Sequence, residues 1–151
     1  IFSFLNDVDG IVQRQKQYEE SVTFKANRLV LDGLTKQVEL IDNVALKRGT
    51  VDLSARKGEI LLDNYNKRLK YYALYDDVRL RELVSLDGRV LERKAYAEKM
   101  EGITSEGKIV LSGYPKVYQG QDVIRGNKIT LREQNESVEV EDANTNFIMR
   151  R

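Results

Sequence analysis

The chain has 151 residues, with 25 basic and 24 acidic side chains and a net charge of +1, which suits one domain and gives no basic face of the kind nucleic acid demands. It has no cysteine and no histidine, which excludes Cys–His nucleophiles, Ser–His triads and the common zinc sites while leaving the redox compartment open. No apolar run approaches the ~18 residues of a spanning helix, and the chain opens on Ile1 rather than Met, so an export signal or anchor is expected to have preceded it.

The first predicted element is ambiguous. Over residues 1–20, Asp9 can cap a short helix carrying Ile11, Val12 and Tyr18, or the stretch can be an edge strand; the expectation is an N-terminal arm or short helix. From residue 21 to 151 one all-β domain is expected. Apolar and polar residues alternate at Val22–Ala26, Val38–Leu40, Val44–Leu46, Val51–Ala55, Leu69–Tyr71, Val78–Leu80 and Val138–Val140, the pattern of half-buried strands. Turn residues punctuate them at Asp32-Gly33, Asp42-Asn43, Arg48-Gly49, Asp63-Asn64, Asp87-Gly88 and Gln119-Gly120. Many short antiparallel strands follow from this spacing.

A repeat runs through the pattern. A small residue followed two places later by a basic one recurs at Ala26-Asn27-Arg28, Ala55-Arg56-Lys57, Ala97-Glu98-Lys99 and Gly126-Asn127-Lys128. Ala26 and Ala55 stand 29 residues apart, as do Ala97 and Gly126; the gap of 42 between Ala55 and Ala97 leaves room for an extra hairpin at Asp87-Gly88. Apolar residues follow three places on, at Leu29, Met100 and Ile129, a step that breaks strict alternation and predicts bulges near Ala26 and Gly126.

Each repeat supplies a strand pair with a single apolar face, which is hidden only when units stack. Alternation alone fits a filled core as well as two layers that splay apart to admit an apolar ligand. Catalytic constellations are thin. Asp76 and Asp77 are adjacent, so on a strand they face opposite sides and do not share a proton; Asp7 and Asp9 are no better placed, and turn roles are expected. Tyr71, Tyr72, Tyr75, Tyr114 and Tyr118 invoke a carbohydrate or nucleic-acid surface, but tyrosine is also a good strand residue, and that reading is preferred. No carboxylate pair suggests a sugar hydrolase, and no enzyme, metal or cofactor is expected.

The stretch from Gly107 to Leu131 resembles a known family. Leu111-Ser112-Gly113, Pro115 and Ile124-Arg125-Gly126-Asn127-Lys128-Ile129-Thr130 are similar to the recurring pattern of the OstA-like domain of lipopolysaccharide-transport proteins, with Asn127 where Asp is usual. Phe24–Asp32 followed by Val38–Val44 looks like an earlier copy, and the resemblance covers about residues 20 to 145. It implies a β-jellyroll of two splayed antiparallel sheets built from short strand repeats. It also implies a periplasmic protein, free or held at the inner membrane by a preceding segment, that shields the acyl chains of lipid A in an apolar groove and bridges the two membranes. The implied partners are lipopolysaccharide, other transport components and further copies joined head to tail through edge strands near Val22–Ala26 and Val138–Val140. The alternative is a structural β-solenoid scaffold with a closed core and no ligand. Combined with alternation, the resemblance predicts a groove lined by Val22, Phe24, Leu29, Leu31, Val38, Leu40, Val44, Leu46, Leu53, Leu69, Tyr71, Val78, Leu80, Leu111, Val117, Ile124, Ile129 and Leu131. Thr23, Glu39, Asp52, Lys70 and Arg79 are expected to point outward.

Overall fold

The computed structural model describes residues 2–12, 22–62, 69–132 and 137–141. Over these the chain forms β1 (Phe2–Val12), β2 (Val22–Asp32), β3 (Gln37–Arg48), β4 (Val51–Leu62), β5 (Leu69–Leu86), β6 (Arg89–Ile103), β7 (Lys108–Ser112), β8 (Lys116–Gln119), β9 (Asp122–Arg125), β10 (Lys128–Arg132) and β11 (Val138–Glu141). Every pairing is antiparallel, and the main path runs β1-β2-β3-β4-β5-β6-β7-β10-β11, with β8 pairing β6 and β9. Among the described residues the only helical element is a single 3-10 turn at Thr104–Glu106.

Two expectations about the start of the chain change. Asp9–Val12 lie in β1, paired with β2 from Phe2↔Asp32 to Val12↔Val22, rather than in a helix. A strand beside β2 satisfies backbone groups along its whole length, whereas a cap at Asp9 satisfies one end only. Residues 13–20 of the expected arm lie outside the described residues. In consequence Val22–Ala26 is not an edge, because β2 is flanked by β1 and β3. Among the described residues the strands paired on one side only are β1 and β11, at the ends of the main path, and β9, at the margin of its branch.

The turns follow local chemistry. Asp32 Oδ1 accepts the Leu34 N–H at 3.0 Å and the Thr35 N–H at 3.4 Å, and the Leu34 bond foremost holds its carboxyl below the usual range. Asp87 and Gly88 both have positive φ, 49° and 76°, the requirement of a tight two-residue hairpin. Chain reversals also occur at Gly49 and Gly120, while Asp63-Asn64 lies outside the described residues. Among the described residues the long gap in the repeat holds no additional hairpin. The β5–β6 hairpin itself is longer, with Leu83↔Glu92 to Leu86↔Arg89 extending past the last pairs to β4 and β8, Val51↔Glu82 and Arg93↔Gln119.

Asp42-Asn43 is not a turn. It lies in mid-β3 with φ of 62° and 52°, and Asp76-Asp77 does the same in mid-β5 with 65° and 55°. Asp and Asn accept the left-handed region because their short side chains bond locally. Each pair coincides with a register shift. Ile41↔Lys57 jumps to Val44↔Ala55, and Tyr75↔Lys99 jumps to Val78↔Ala97, so β3 and β5 carry an extra residue there. Gly113 and Tyr114, with φ of 77° and 52°, mark the same place between β7 and β8. The bulge expected near Ala26 therefore sits opposite it, on β3, while near Gly126 the chain breaks between β9 and β10.

These sites line up across the sheet as a crease. The small members of the repeat, Ala26, Ala55 and Ala97, lie along it and are buried, as the narrow inner angle of a bend requires. The crease divides the strands into an upper half (including β7, β10 and β11) and a lower half (including β8 and β9). Arg93, in the lower half, donates from Nη2 to the backbone oxygen of Arg132 in the upper half at 3.0 Å. The two halves thus face one another as the two layers of an all-β jellyroll, with one hydrogen-bonded path running through both.

Candidate functional site

The space between the halves is built from side chains in register. In the upper half one row runs Leu31, Val38, Ile60, Tyr72, Gly102, Ile109, Leu131 and Val138, each paired with the next. A second runs Leu29, Leu40, Gly58, Leu74, Met100, Leu111, Ile129 and Val140. Below the crease a third runs Phe24, Leu46, Leu53, Leu80, Ala95, Val117 and Ile124. The central members of these rows are buried in one apolar cluster. A single sheet cannot bury its own face, so each half covers the other.

Glycines make room in the upper rows. A Cβ on Gly102 would stand 2.0 Å from the Tyr72 ring, and one on Gly58 would stand 2.8 Å from Leu74 Cδ2. The Tyr72 ring therefore lies flat over the β6 backbone, a cross-strand aromatic–glycine pairing that fills the interior without thickening it.

Of the predicted lining, Val22, Leu29, Val38, Leu40, Val44, Leu46, Leu53, Val78, Leu80, Leu111, Val117, Ile124, Ile129 and Leu131 are buried in the core, with Phe24 and Leu69 half-buried against it. Two depart from expectation. Leu31 lies between Ser3 of β1 and Val38 of β3 but remains 37% exposed. Tyr71 does not point inward: its hydroxyl donates to Glu101 at 2.7 Å on the outer face, and Tyr72 takes the inward place. Register shifts between Leu61 and Leu62 against β5, which reverses the phase that Leu69-Lys70-Tyr71 suggests. Tyr72, Leu74, Ile60, Met100 and Ile109 were missed, although their own alternation beside glycine carried the signal. Thr23, Glu39, Lys70 and Arg79 are exposed and Asp52 half-exposed.

The lower rim is polar. Val22, Arg48, Val51, Glu82, Arg93, Gln119 and Asp122 form its row. Glu82 and Arg93 are both 0% exposed. The Arg93 guanidinium donates to Glu82 Oε1 from Nε at 3.1 Å and also from Nη2, and to Gln119 Oε1 at 3.2 Å. Buried charges are tolerated only when paired and hydrogen-bonded like this. Together with the bond to Arg132 they tie the halves at one point. Elsewhere the rim is apolar and partly open: Phe24, Leu62, Leu69, Val138 and Val140 pack on the core without full burial.

On the outer face Glu59, Ala73 and Glu101 are cross-strand partners. Tyr75 donates to Glu59 at 2.7 Å as Tyr71 does to Glu101, arching over buried Ala73. Burial, then the bond to the carboxylate, push both phenols up, Tyr75 to about 12. Among the described residues no group of His, Cys, Asp or Glu could hold a metal, and no helix is long and apolar enough to cross a membrane. Among the described residues the buried interior is apolar apart from Glu82, Arg93, Gln119 and Thr130.

Residues 23–137 match the profile of a family described as LptA/(LptD N-terminal domain) LPS transport protein. No curated protein matches the chain in sequence. Among solved structures, LptH, described as the LptA-homologous periplasmic component of the lipopolysaccharide transport device of Pseudomonas aeruginosa, superposes with a TM-score of 0.74 at 16% identity. The match covers 86% of this chain and 95% of that one, and it fixes the likeness of fold.

Proposed function

Because the chain belongs to the LptA/LptD N-terminal-domain family of lipopolysaccharide transport proteins, we propose that it carries the acyl chains of lipid A between the two halves of its creased sheet, in the periplasm, as part of a bridge between membranes. The observation that carries this reading is the construction of the interior. Apolar rows face one another across a seam made of side-chain contacts, and each half keeps its own backbone ladder. Parting the halves exchanges non-directional apolar contacts for others of the same kind, and breaks the Arg93–Arg132 hydrogen bond. A buried methylene is worth ~0.8 kcal/mol, so an acyl chain of about a dozen carbons loses on the order of 10 kcal/mol when it enters water. A lipid passed from one apolar seam to the next avoids that cost. No observation favours the closed scaffold.

Assembly belongs to the same reading. β1 and β11 each pair on one side among the described residues, and such edges invite strand addition by another copy. The exposed Glu139 and Glu141 on β11 disfavour indiscriminate pairing. Sedimentation over a concentration series should show reversible oligomers; a strict monomer would refute this part alone.

The test of carriage is a fluorescent fatty acid. It should bind the whole chain with enhanced emission and be displaced by lipopolysaccharide. Failure of lipopolysaccharide to displace it, or no binding at all, would refute the proposal.

A further inference from the structure

The outward side of the lower half is chemically unlike the rest of the surface. One row across it runs from Lys25 and Ala45 through Ser54, Arg79 and Tyr96 to Lys116 and Arg125, and its one acidic residue, Asp9, pairs with Lys25 at the far end. Lys116 and Arg125 are direct cross-strand partners and both are exposed. Like charges in that position repel one another, so the strand pairing by itself gives no reason for them. In the adjacent row Tyr118 stands beside Lys94 and Val123. Tyr96 and Tyr118 meet edge to face, with ring centroids 5.9 Å apart at 83°, and stay 39% and 37% exposed. Glu92 answers Arg81 and Lys94 by ion pairs. Asp77 reaches Arg79 at 3.5 Å. The excess positive charge is thus concentrated at Lys116 and Arg125, next to the tyrosines, on strands β8 and β9 at the free margin of this half.

We propose that this outer face binds a phosphorylated saccharide: a pyranose ring packs its C–H face on the tyrosine pair, and its phosphate is held between Lys116 and Arg125. Each partner answers a separate feature. In this edge-to-face pair one ring braces the other, so an apolar ring face is offered in a set orientation, which suits a sugar ring more than a mobile peptide. Two adjacent cations whose row holds no acid from β4 to β9 suit a dianionic group, whose charge-assisted hydrogen bonds relieve the repulsion between them. The saccharide can be the headgroup of an acylated molecule or a free phosphosugar. The site lies on the opposite side of the sheet from the apolar seam, so it acts independently of acyl binding and rests on the proposed function only for the choice of probe.

Calorimetric titration of the whole chain tests this with a deacylated, phosphorylated glucosamine disaccharide, the same disaccharide without phosphate, inorganic phosphate alone, and phosphatidylglycerol vesicles. The phosphorylated disaccharide should bind at least about tenfold more tightly than the dephosphorylated sugar or phosphate, because neither alone engages both features. The double substitution Lys116→Gln with Arg125→Gln, and separately Tyr118→Leu, should each weaken it by about tenfold or more. Binding of the fluorescent fatty acid should stay unchanged in both variants, which separates failure here from failure of the seam. The Gln pair removes a like-charge contact and so leaves the fold intact. The proposal is overturned by absent disaccharide binding, by equal affinity for the dephosphorylated sugar, by phosphate alone binding as well, by preference for vesicles, or by unchanged affinity in the Gln pair.

Discussion

Tyr75 shows how much the outer face depends on single contacts. Its hydroxyl is a donor to Glu59, and burial together with that carboxylate raises its ionisation from 10.0 to about 12. An unfolded chain loses this proton earlier than the folded one, so the stabilisation is complete below pH 10 and disappears as pH climbs towards 12. Alkaline titration followed by tyrosinate absorbance should show late-ionising phenol coupled to loss of structure over that window, and Glu59→Gln should move Tyr75 back towards 10.0. A Tyr75 that ionises at its ordinary value in the native protein would contradict the contact. At this scale the sequence was legible where alternation is regular. It identified Leu40, Leu46, Leu53 and Leu80 as inward, but it took Tyr71 for Tyr72, because one irregular step at the start of β5 inverts which neighbour faces the interior. Nor does spacing disclose that Leu31, correctly phased, stays partly exposed.

At the scale of elements, the crease was half visible. The repeat of a small residue two places before a basic one marked Ala26, Ala55, Ala97 and Gly126, all of which fall on the bend. In the sequence Asp42-Asn43 reads as a turn because turns and bulges demand the same left-handed backbone of the same residues. Only the partner strand, continuing across both, distinguishes them. The Glu82–Arg93 pair was not legible as a pair: each breaks the alternation, Glu82 standing at the inward phase between Leu80 and Val84 and Arg93 at that of Ala95, but charged residues surround both in sequence and spacing does not join them. It is nevertheless where the halves are tied. Arg93→Met alone leaves a buried carboxylate without its partner and should cost about 3–5 kcal/mol, whereas adding Glu82→Met should restore most of it. Denaturant unfolding of both variants checks this, and a single substitution costing under ~1 kcal/mol would mean that the pair is not buried as described.

For the whole molecule, the all-β character and the resemblance in Ile124–Thr130 gave the architecture, while the edges had to be found in space. β1 displaces β2 from the margin, which the ambiguous run around Asp9 had left open between strand and helix. The central claim is that acyl chains occupy the seam between the halves rather than an outer surface. Site-specific photo-crosslinking to lipopolysaccharide tests it most directly, with the crosslinker placed in turn at Phe24 and Leu80, which lie on the inner row, and at Thr23, which is exposed beside Phe24 on the same strand. The account predicts capture at Phe24 and Leu80 and none at Thr23; capture at Thr23 equal to that at its inward neighbours would contradict it.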